Sequence, residues 1–358
     1  SQGTRRRRAG TTPRLFHKVL AMTESETEIR LTLGPKGVTL TSGRTGRFPS
    51  LFCRREASDI LALIPSLFAL CPAAHVCAFT SAFETADSGL EIQNISILSR
   101  IEAVLETIRF FSMDLRKALE LGPAAGELVR NLAAARARLL ASLQGQSDSS
   151  LMTDTAQLAK KWLAEESNLF KALSKKTREL RDFALPAEAV LPTQELLDPT
   201  TLGALAVTLR DCPQYALRPR LGGPRVVGAV ARRARHGKKL LTPEDIFNAR
   251  INEIASLVSG KSSLVGSLKT VSLGGKLAAS LVETARGVLV YFVLRSNNTP
   301  IWVDWIAPTE WVFQPDGLLT KLADDARKAG ASAEQIALIA AAFDACAEVV
   351  VSEEPPHA

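Results

Sequence analysis

Between Ile101 and Leu121, apolar side chains recur at 101, 104, 105, 108, 111, 115 and 119, and Gly122-Pro123 closes the run. That is the 3.6-residue period of an amphipathic helix with a glycine–proline stop. A helix of about 20 residues spans ~30 Å, the width of a small domain. Its apolar stripe can be buried only inside a substantial core. The chain can supply one: it has 358 residues, of which 46% are apolar and 23% charged. This is the mix of a globular chain and not of a disordered one. One large domain and two smaller ones fit the length equally.

The remaining periodicity is mainly helical. Residues 55 to 70 and 72 to 86 read as two helices broken at Leu70-Cys71-Pro72, with Pro72 at a first position that has no helical N–H to lose. Further helices are expected over about 124–143, over 154–183 with Pro186 as the stop, and from Thr242-Pro243-Glu244-Asp245 to about Val258. Another is expected at about 276–284 after Gly274-Gly275. Two helices close the chain, the last opening with the capping box Ser332-Ala333-Glu334-Gln335 and running into Cys346. Two hairpins stand out: one alternates from 29 to 41 about Gly34-Pro35-Lys36-Gly37, the other joins Val288–Arg295 to Ile301–Ile306. No repeat of 20 to 50 residues is visible. The fold class is α+β, mainly helical, with small hairpins near the N-terminus and around 288–306.

Charge is segregated. Nine Lys/Arg against Asp211 give Arg210–Lys239 a charge of +8, and Arg5–Arg8 add +4 to a chain of net +7, so the rest sums to −5. With prolines at 186, 192, 199, 213, 219 and 224, the stretch 186–241 is expected to be an irregular, exposed basic excursion, either a docking loop for a partner or a solvated loop. Only Tyr215 interleaves with its arginines, so a nucleic-acid stacking surface is not expected. Residues 1–28 are read as a flexible basic segment, and 29–358 as a single domain.

No apolar run reaches the ~18 residues of a membrane span; the longest, Ile60–Ala69, contains Pro65. Arg5–Arg8 lead into no apolar stretch, so no secretory signal is read. The five cysteines, at 53, 71, 77, 212 and 346, are too few and too scattered for a disulfide framework. A reducing compartment, the cytoplasm, is expected.

Cys71-Pro72-Ala73-Ala74-His75 opens a helix, which places the Cys71 sulfur near N-terminal amides that favour a thiolate, the form soft metals bind. His75 lies one turn on, along the same face. A buried cysteine and a satisfied histidine are the ordinary alternative. Cys77 faces elsewhere and is read as structural. Glu102 and Glu106, flanked by Arg100 and Arg109, are read as a routine charged face, and Trp302, Trp305 and Trp311 as core.

Three C-terminal segments add to that signal: Glu283-Thr284-Ala285-Arg286-Gly287-Val288-Leu289-Val290-Tyr291, Ala307-Pro308-Thr309-Glu310-Trp311 and Asp344-Ala345-Cys346. In order, with Cys71-x-x-x-His75, they resemble the large subunit of NiFe hydrogenases over about residues 29–350. That family carries Cys-x-x-Cys-x-x-x-His, Glu-Ala-Pro-Arg-Gly-x-Leu-x-His, Pro-Ser/Thr-Thr-Trp-Asn and Asp-Pro-Cys-x-x-Cys-x-x-His. Its four cysteines hold nickel and an iron bearing two cyanides and one carbon monoxide; its arginine and its Ser/Thr hydrogen-bond the cyanides. The resemblance implies metal ligation by Cys71 and Cys346 and ligand contacts from His75, Arg286 and Thr309.

The departures are as informative. Phe68 stands at the leading cysteine position, Val349 at the last cysteine and Ser352 at the final histidine. The family's Arg-Gly-x-Glu, whose glutamate relays protons, falls on Arg47-Phe48-Pro49-Ser50. Four-thiolate nickel cannot be built from this set, and an iron on two thiolates can. The pattern resembles the HupK/HoxV group of hydrogenase accessory proteins. It implies a non-catalytic maturation scaffold that transiently holds iron with CN and CO ligands, no complete NiFe site, and as partners assembly chaperones of the HypC/HypD type and a hydrogenase large-subunit precursor, with no nucleic acid and no membrane. A metal-free interaction subunit that kept the fold is the alternative; a hydrogenase-like enzyme is disfavoured by the missing cysteines.

Overall fold

The computed structural model describes residues 28–44, 48–233, 240–261 and 263–354. Arg5–Arg8, the rest of the N-terminal segment up to residue 27, Arg47, Arg235, Lys238 and Lys239 lie outside the described residues. Among the described residues ten strands form three sheets. The expected hairpin of β1 (Ile29–Gly34) and β2 (Gly37–Ser42) gains a third strand, because β10 (Val349–Glu353) runs parallel to β1 and pairs Val349 with Ile29. The five-stranded sheet is antiparallel throughout. Its order is β3 (Gln93–Ile95), β6 (Ser267–Gly274), β7 (Leu277–Glu283), β8 (Val288–Ser296), β9 (Thr299–Ile306). The small third sheet pairs β4 (Leu185–Pro186) with β5 (Leu240–Leu241).

The unbroken apolar run of β8 follows from its position in that sheet. Leu289, Tyr291 and Val293 face one core with Phe52, Phe79 and Trp305. Val288, Val290 and Phe292 face the main core with the helices. A strand covered on both faces has no polar side to alternate with. The helix Pro72–Ser88 lies across β6, β7 and β8, which fixes the position of its first turn relative to the loops at one end of the sheet.

Most predicted helices are present, as Ala57–Leu67, Pro72–Ser88, Gly126–Leu143, Pro243–Val258 and Ala333–Ala342, and both the Thr242 and Ser332 capping boxes form. Five readings need correction. The helix expected at 276–284 is strand β7. Gly275 and Lys276 have φ of 58° and 64°, the left-handed pair of a two-residue hairpin loop. The small residues Ala278, Ala279 and Ser280 allow the helix Pro72–Ser88 to approach, with Ser280 Oγ donating to the Ala78 carbonyl at 2.7 Å. Tertiary packing here overrides helix propensity. The run at 154–183 is two helices, Leu151–Glu165 and Ser167–Arg178, bent at Glu166, whose carboxylate Arg116 holds at 2.6 Å. The long helix is regular over Ile97–Arg109 and then widens into a π turn, Phe110–Asp114, before Leu115–Ala118.

The described parts of the stretch 186–241, residues 186–233 and 240–241, expected to be exposed and irregular, are built into the core. Leu191, Leu196, Leu202 and Leu209 have no exposed surface. Its prolines punctuate real elements: Pro199 starts the helix Pro199–Asp211, capped by Asp198 onto the Thr201 N–H at 2.8 Å. Several of its arginines have partners within the chain. Arg232 is buried and bidentate to Glu253 at 2.7 Å, Arg220 pairs with Asp316, and Arg225 binds the Leu221 and Glu188 carbonyls. Arg210 and Arg218 are exposed. Finally, the last helix ends at Ala342, before Cys346, and β10 closes the described chain. Among the described residues no helix is long and apolar enough to cross a membrane.

Candidate functional site

Four distant segments meet at one end of the five-stranded sheet. Cys71 immediately precedes the helix Pro72–Ser88, and Arg286 sits in the turn between β7 and β8. Thr309 belongs to the short helix Pro308–Val312 after β9, and Cys346 lies between the last helix and β10. Thr309 Oγ1 donates to Cys346 Sγ at 3.0 Å and accepts from the Cys346 backbone N–H at 3.0 Å. Cys71 and Cys346 act on each other electrostatically, and Arg286 acts on both. All five cysteines are free thiols.

His75 stands beside this group, but its ring is committed elsewhere. Its Nδ1 is 2.8 Å from the Tyr291 hydroxyl, and the imidazole stacks on Phe68 with centroids 3.5 Å apart and planes 9° apart. Phe68, at the hydrogenases' leading cysteine position, therefore fills that place with an aromatic ring. Burial, aided by the Arg44 charge, pulls the His75 pKa down to about 3, so the ring is neutral. A neutral buried histidine costs stability on acidification, because the unfolded chain binds the proton first. Its contribution is complete above about pH 6.5, the unperturbed value, and is lost as pH falls towards 3. Urea unfolding across this range should show that decline, and His75→Asn should flatten the His75 part of the slope; identical slopes in both proteins would contradict it.

Two glycines set the position of Arg286. Gly287 has φ 140°, and a Cβ there would meet Val227 Cγ2 at 2.5 Å; a Cβ on Gly228, φ 104°, would meet the Arg286 carbonyl at 2.8 Å. No side chain fits either position, so the segment misread as an excursion is the wall that holds the arginine turn. The guanidinium is at hydrogen-bond or ion-pair distance from Glu106 (3.5 Å) and Asp344 (3.4 Å), and Asp344 also accepts from Arg250 at 2.7 Å. Burial opposes the Arg286 charge, but Asp344, Glu106 and the two sulfurs outweigh it and hold the group firmly protonated. Arg250 lies over the Phe110 ring at 4.4 Å, which the π turn presents.

Four participants, Glu102, Glu106, Arg250 and Arg44, lie in none of the site motifs. Glu102 and Glu106 are buried, not a solvated face. Glu102 accepts from the Ala73 and Ala74 N–H groups at 2.7 and 2.9 Å. The helix amides expected to favour a Cys71 thiolate are thus taken by a carboxylate. Burial raises the Glu102 pKa to about 8 against the pull of those two amides. Burial and Cys346 also push the Cys71 thiol well up, while Arg286 pulls it down. The available signal was phase: Glu102 and Glu106 each follow a stripe residue, Ile101 and Leu105, and so border the buried face. Arg44 and Glu310 form an ion pair at 2.8 Å beside Cys346. Cys77, read as structural, faces Ser96 Oγ at 2.9 Å.

Among the described residues no group of three or more His, Cys, Asp or Glu side chains is arranged to hold a metal ion. The site offers two thiols and a surplus of donors. Arg286 Nε, Arg250 Nε and Nη1, and Arg44 Nη1 are buried without a hydrogen-bond acceptor among the described residues. A narrow cavity lined by Gly228, Arg250, Arg286, Pro308, Thr309 and Phe343 adjoins the Arg250 and Arg286 groups. Orphaned cationic N–H groups around a small cavity fit a compact anionic acceptor.

The backbone that carries this site has the fold of a nickel–iron hydrogenase large subunit. An NAD+-reducing [NiFe]-hydrogenase in its H2-reduced state superposes with a TM-score of 0.57 at 13% identity, covering 87% of this chain and 92% of that one. The reduced Ni-Fe-Se hydrogenase of D. vulgaris Hildenborough gives 0.51 at 12% identity, covering 86% and 92%. At such identities the likeness is one of fold. In sequence the chain is similar to the hydrogenase expression/formation protein HupK of Bradyrhizobium diazoefficiens, 28% identical over 331 residues that cover 83% of this chain and 87% of that protein. It is also similar to the hydrogenase expression/formation protein HupV of Azotobacter chroococcum, 28% identical over 285 residues covering 76% and 80%. No protein-family model matches the chain. The resemblance to the HupK/HoxV group that the motifs carry is thus borne out over most of the chain.

Proposed function

We propose that the protein is a non-catalytic scaffold in NiFe-hydrogenase maturation, holding an iron–cyanide–carbonyl fragment through Cys71 and Cys346 before delivery to a large-subunit precursor. In this reading it works in the cytoplasm with assembly chaperones of the HypC/HypD type. One observation carries it: two free thiols interact with each other and with a buried Arg286 that Asp344 and Glu106 hold only loosely, at 3.4 and 3.5 Å, beside a Thr309 hydroxyl already placed on Cys346. Each thiol loses its proton as its sulfur binds iron, so loading releases two protons. Arg286 then donates to a cyanide nitrogen while Asp344 and Glu106 orient the guanidinium, and the single Thr309 hydroxyl proton turns from Cys346 Sγ to a second cyanide as iron takes the sulfur. Two protein ligands suit a carrier, which must release what a four-thiolate acceptor keeps. The Phe68 ring in the place of a ligand also suits the second reading, a metal-free interaction subunit. Such a subunit, however, has no use for buried N–H groups that make no hydrogen bond among the described residues, such as Arg250 Nη1 and Arg44 Nη1, each carried at a cost of about 1–3 kcal/mol.

Arg286 variants test the proposal. A charge-assisted hydrogen bond contributes about 1.5–3 kcal/mol, so Arg286→Met should weaken retention of the cyanide-bearing fragment roughly 10- to 150-fold. Arg286→Lys keeps the charge without the planar fork and should be intermediate. Bare iron should be affected much less. Iron content and infrared band intensity give the comparison, with Cys77→Ala expected to match wild type. Full cyanide bands in Arg286→Met, or their loss in folded Cys77→Ala, would show the site to be misassigned.

A further inference from the structure

Arg44 follows β2 and reaches the Pro308–Val312 helix from a part of the chain that none of the site motifs includes. Its Nη2 pairs with Glu310 Oε1 at 2.8 Å. Its guanidinium is also held to the Cys346 side chain by a hydrogen bond and by charge, and interacts electrostatically with Cys71. Its Nη1 is buried and has no hydrogen-bond acceptor among the described residues. Glu310 stands where the hydrogenase motif Pro-Ser/Thr-Thr-Trp-Asn carries threonine, so the acidic half of this ion pair departs from the enzymes' pattern. A buried ion pair that leaves one N–H idle beside a sulfur is poorly explained as a stability device, since buried pairs barely repay their own desolvation. An idle donor of fixed orientation is explained by an acceptor that arrives with a ligand.

Charge points the same way. Ferrous iron, two thiolates and two cyanides sum to a dianion. Glu106 is shared among Arg109, Arg136 and Arg286, and Asp344 between Arg250 and Arg286, so each of these two carboxylates is more than balanced by the guanidiniums on it. Arg286 alone supplies one fixed donor to such a dianion, and Arg44 supplies another from a different element.

We propose that Arg44 is a second ligand-binding residue of this site, its Nη1 donating to an anionic, cyanide-type ligand on the metal held by Cys71 and Cys346, while Glu310 anchors the guanidinium through Nη2. This rests on the scaffold reading above. It adds a selectivity: a cationic donor strengthens binding of iron that carries cyanide and does little for bare iron or for a neutral carbonyl ligand.

The test uses the full chain purified anaerobically from a host that contains the hydrogenase assembly machinery, as wild type, Arg44→Met, Arg44→Lys and Glu310→Gln. Decay of the cyanide bands is followed against a chelator, and ferrous iron binding is measured separately on the metal-free proteins. Arg44→Met should lose the cyanide bands roughly ten- to a hundredfold faster than wild type, and the residual bands should shift in frequency because a donor is gone. Arg44→Lys and Glu310→Gln should be intermediate, and ferrous iron alone should bind all four within about threefold, as expected when no charge-assisted contact is at stake. If Arg44→Met melts early, Arg44→Lys decides, since it keeps the charge. Wild-type band positions and lifetimes in a folded Arg44 variant overturn this inference and leave the scaffold reading intact. Absence of cyanide bands in wild type overturns the scaffold reading, and the Arg44 assignment with it.

Discussion

Replacing Cys71 or Cys346 by serine will strip iron from the protein while leaving the fold in place. In the scaffold reading the two sulfurs are the whole protein share of the coordination, and among the described residues no group of three or more candidate ligands competes with them. Structural zinc sites gain about 10–16 kcal/mol from four ligands, so one thiolate is worth roughly 3 kcal/mol, above a hundredfold in affinity. A serine hydroxyl does not ionise at neutral pH and cannot replace it. The fold has little stake in either sulfur. Cys71 caps its helix without a side-chain hydrogen bond, and a serine at 346 can still accept from Thr309. Iron per chain and melting temperature separate the two effects, with Cys77→Ser as the control that keeps its iron. Undiminished iron in Cys346→Ser would remove that residue from the site.

Asp344→Ala should be the most damaging single change to stability. Its carboxylate is the one acceptor the described residues offer to Arg250 Nη2, at 2.7 Å, while Arg250 Nε and Nη1 have none. It also balances Arg286. Both arginines and Asp344 are at least nine-tenths buried. Removing one partner of such a set leaves unpaired buried charge, at a cost of about 3–5 kcal/mol. Asp344 also has φ 46°, a left-handed conformation that aspartate and asparagine tolerate better than alanine. Asp344→Asn keeps the conformation and an acceptor oxygen, so its loss measures the charge alone, and the further loss in Asp344→Ala measures the acceptor and the backbone preference together. Urea titration gives both values; a loss below ~1 kcal/mol, the size of a surface ion pair, for Asp344→Ala would mean that the guanidiniums find other partners.

Much of this molecule was legible in the sequence where the signal was local. Capping boxes at Thr242 and Ser332, the Gly34–Gly37 turn and the Asn297-Asn298 turn each need only a few adjacent residues, and each formed. What failed depended on distant neighbours. Ala278-Ala279-Ser280 look helical until the helix Pro72–Ser88 is laid on them. The prolines of 186–241 look like breakers until Leu191, Leu202 and Leu209 are seen in the core and Val227-Gly228 against the arginine turn. The π turn at Phe110–Asp114 leaves no mark in a periodicity that runs through it.

The site divides in the same way. Cys71, Arg286, Thr309 and Cys346 were found because each lies in a short motif, and the structure brings them together. Glu102, Glu106, Arg250 and Arg44 lie in no motif, and their burial is a property of the assembled fold. Composition did suggest that an acidic body carries separate basic segments. It could not say that Arg232 would be spent on Glu253 and Glu283 inside that body.

The most direct measurement is an infrared spectrum of the protein purified anaerobically from a host with the hydrogenase assembly machinery, recorded beside Cys71→Ser prepared in the same way. The scaffold account predicts cyanide and carbonyl stretching bands in wild type, in proportion to bound iron, and none in Cys71→Ser. Wild-type protein that is folded and binds its partners but shows neither band would contradict it, and would leave a metal-free interaction subunit as the better description.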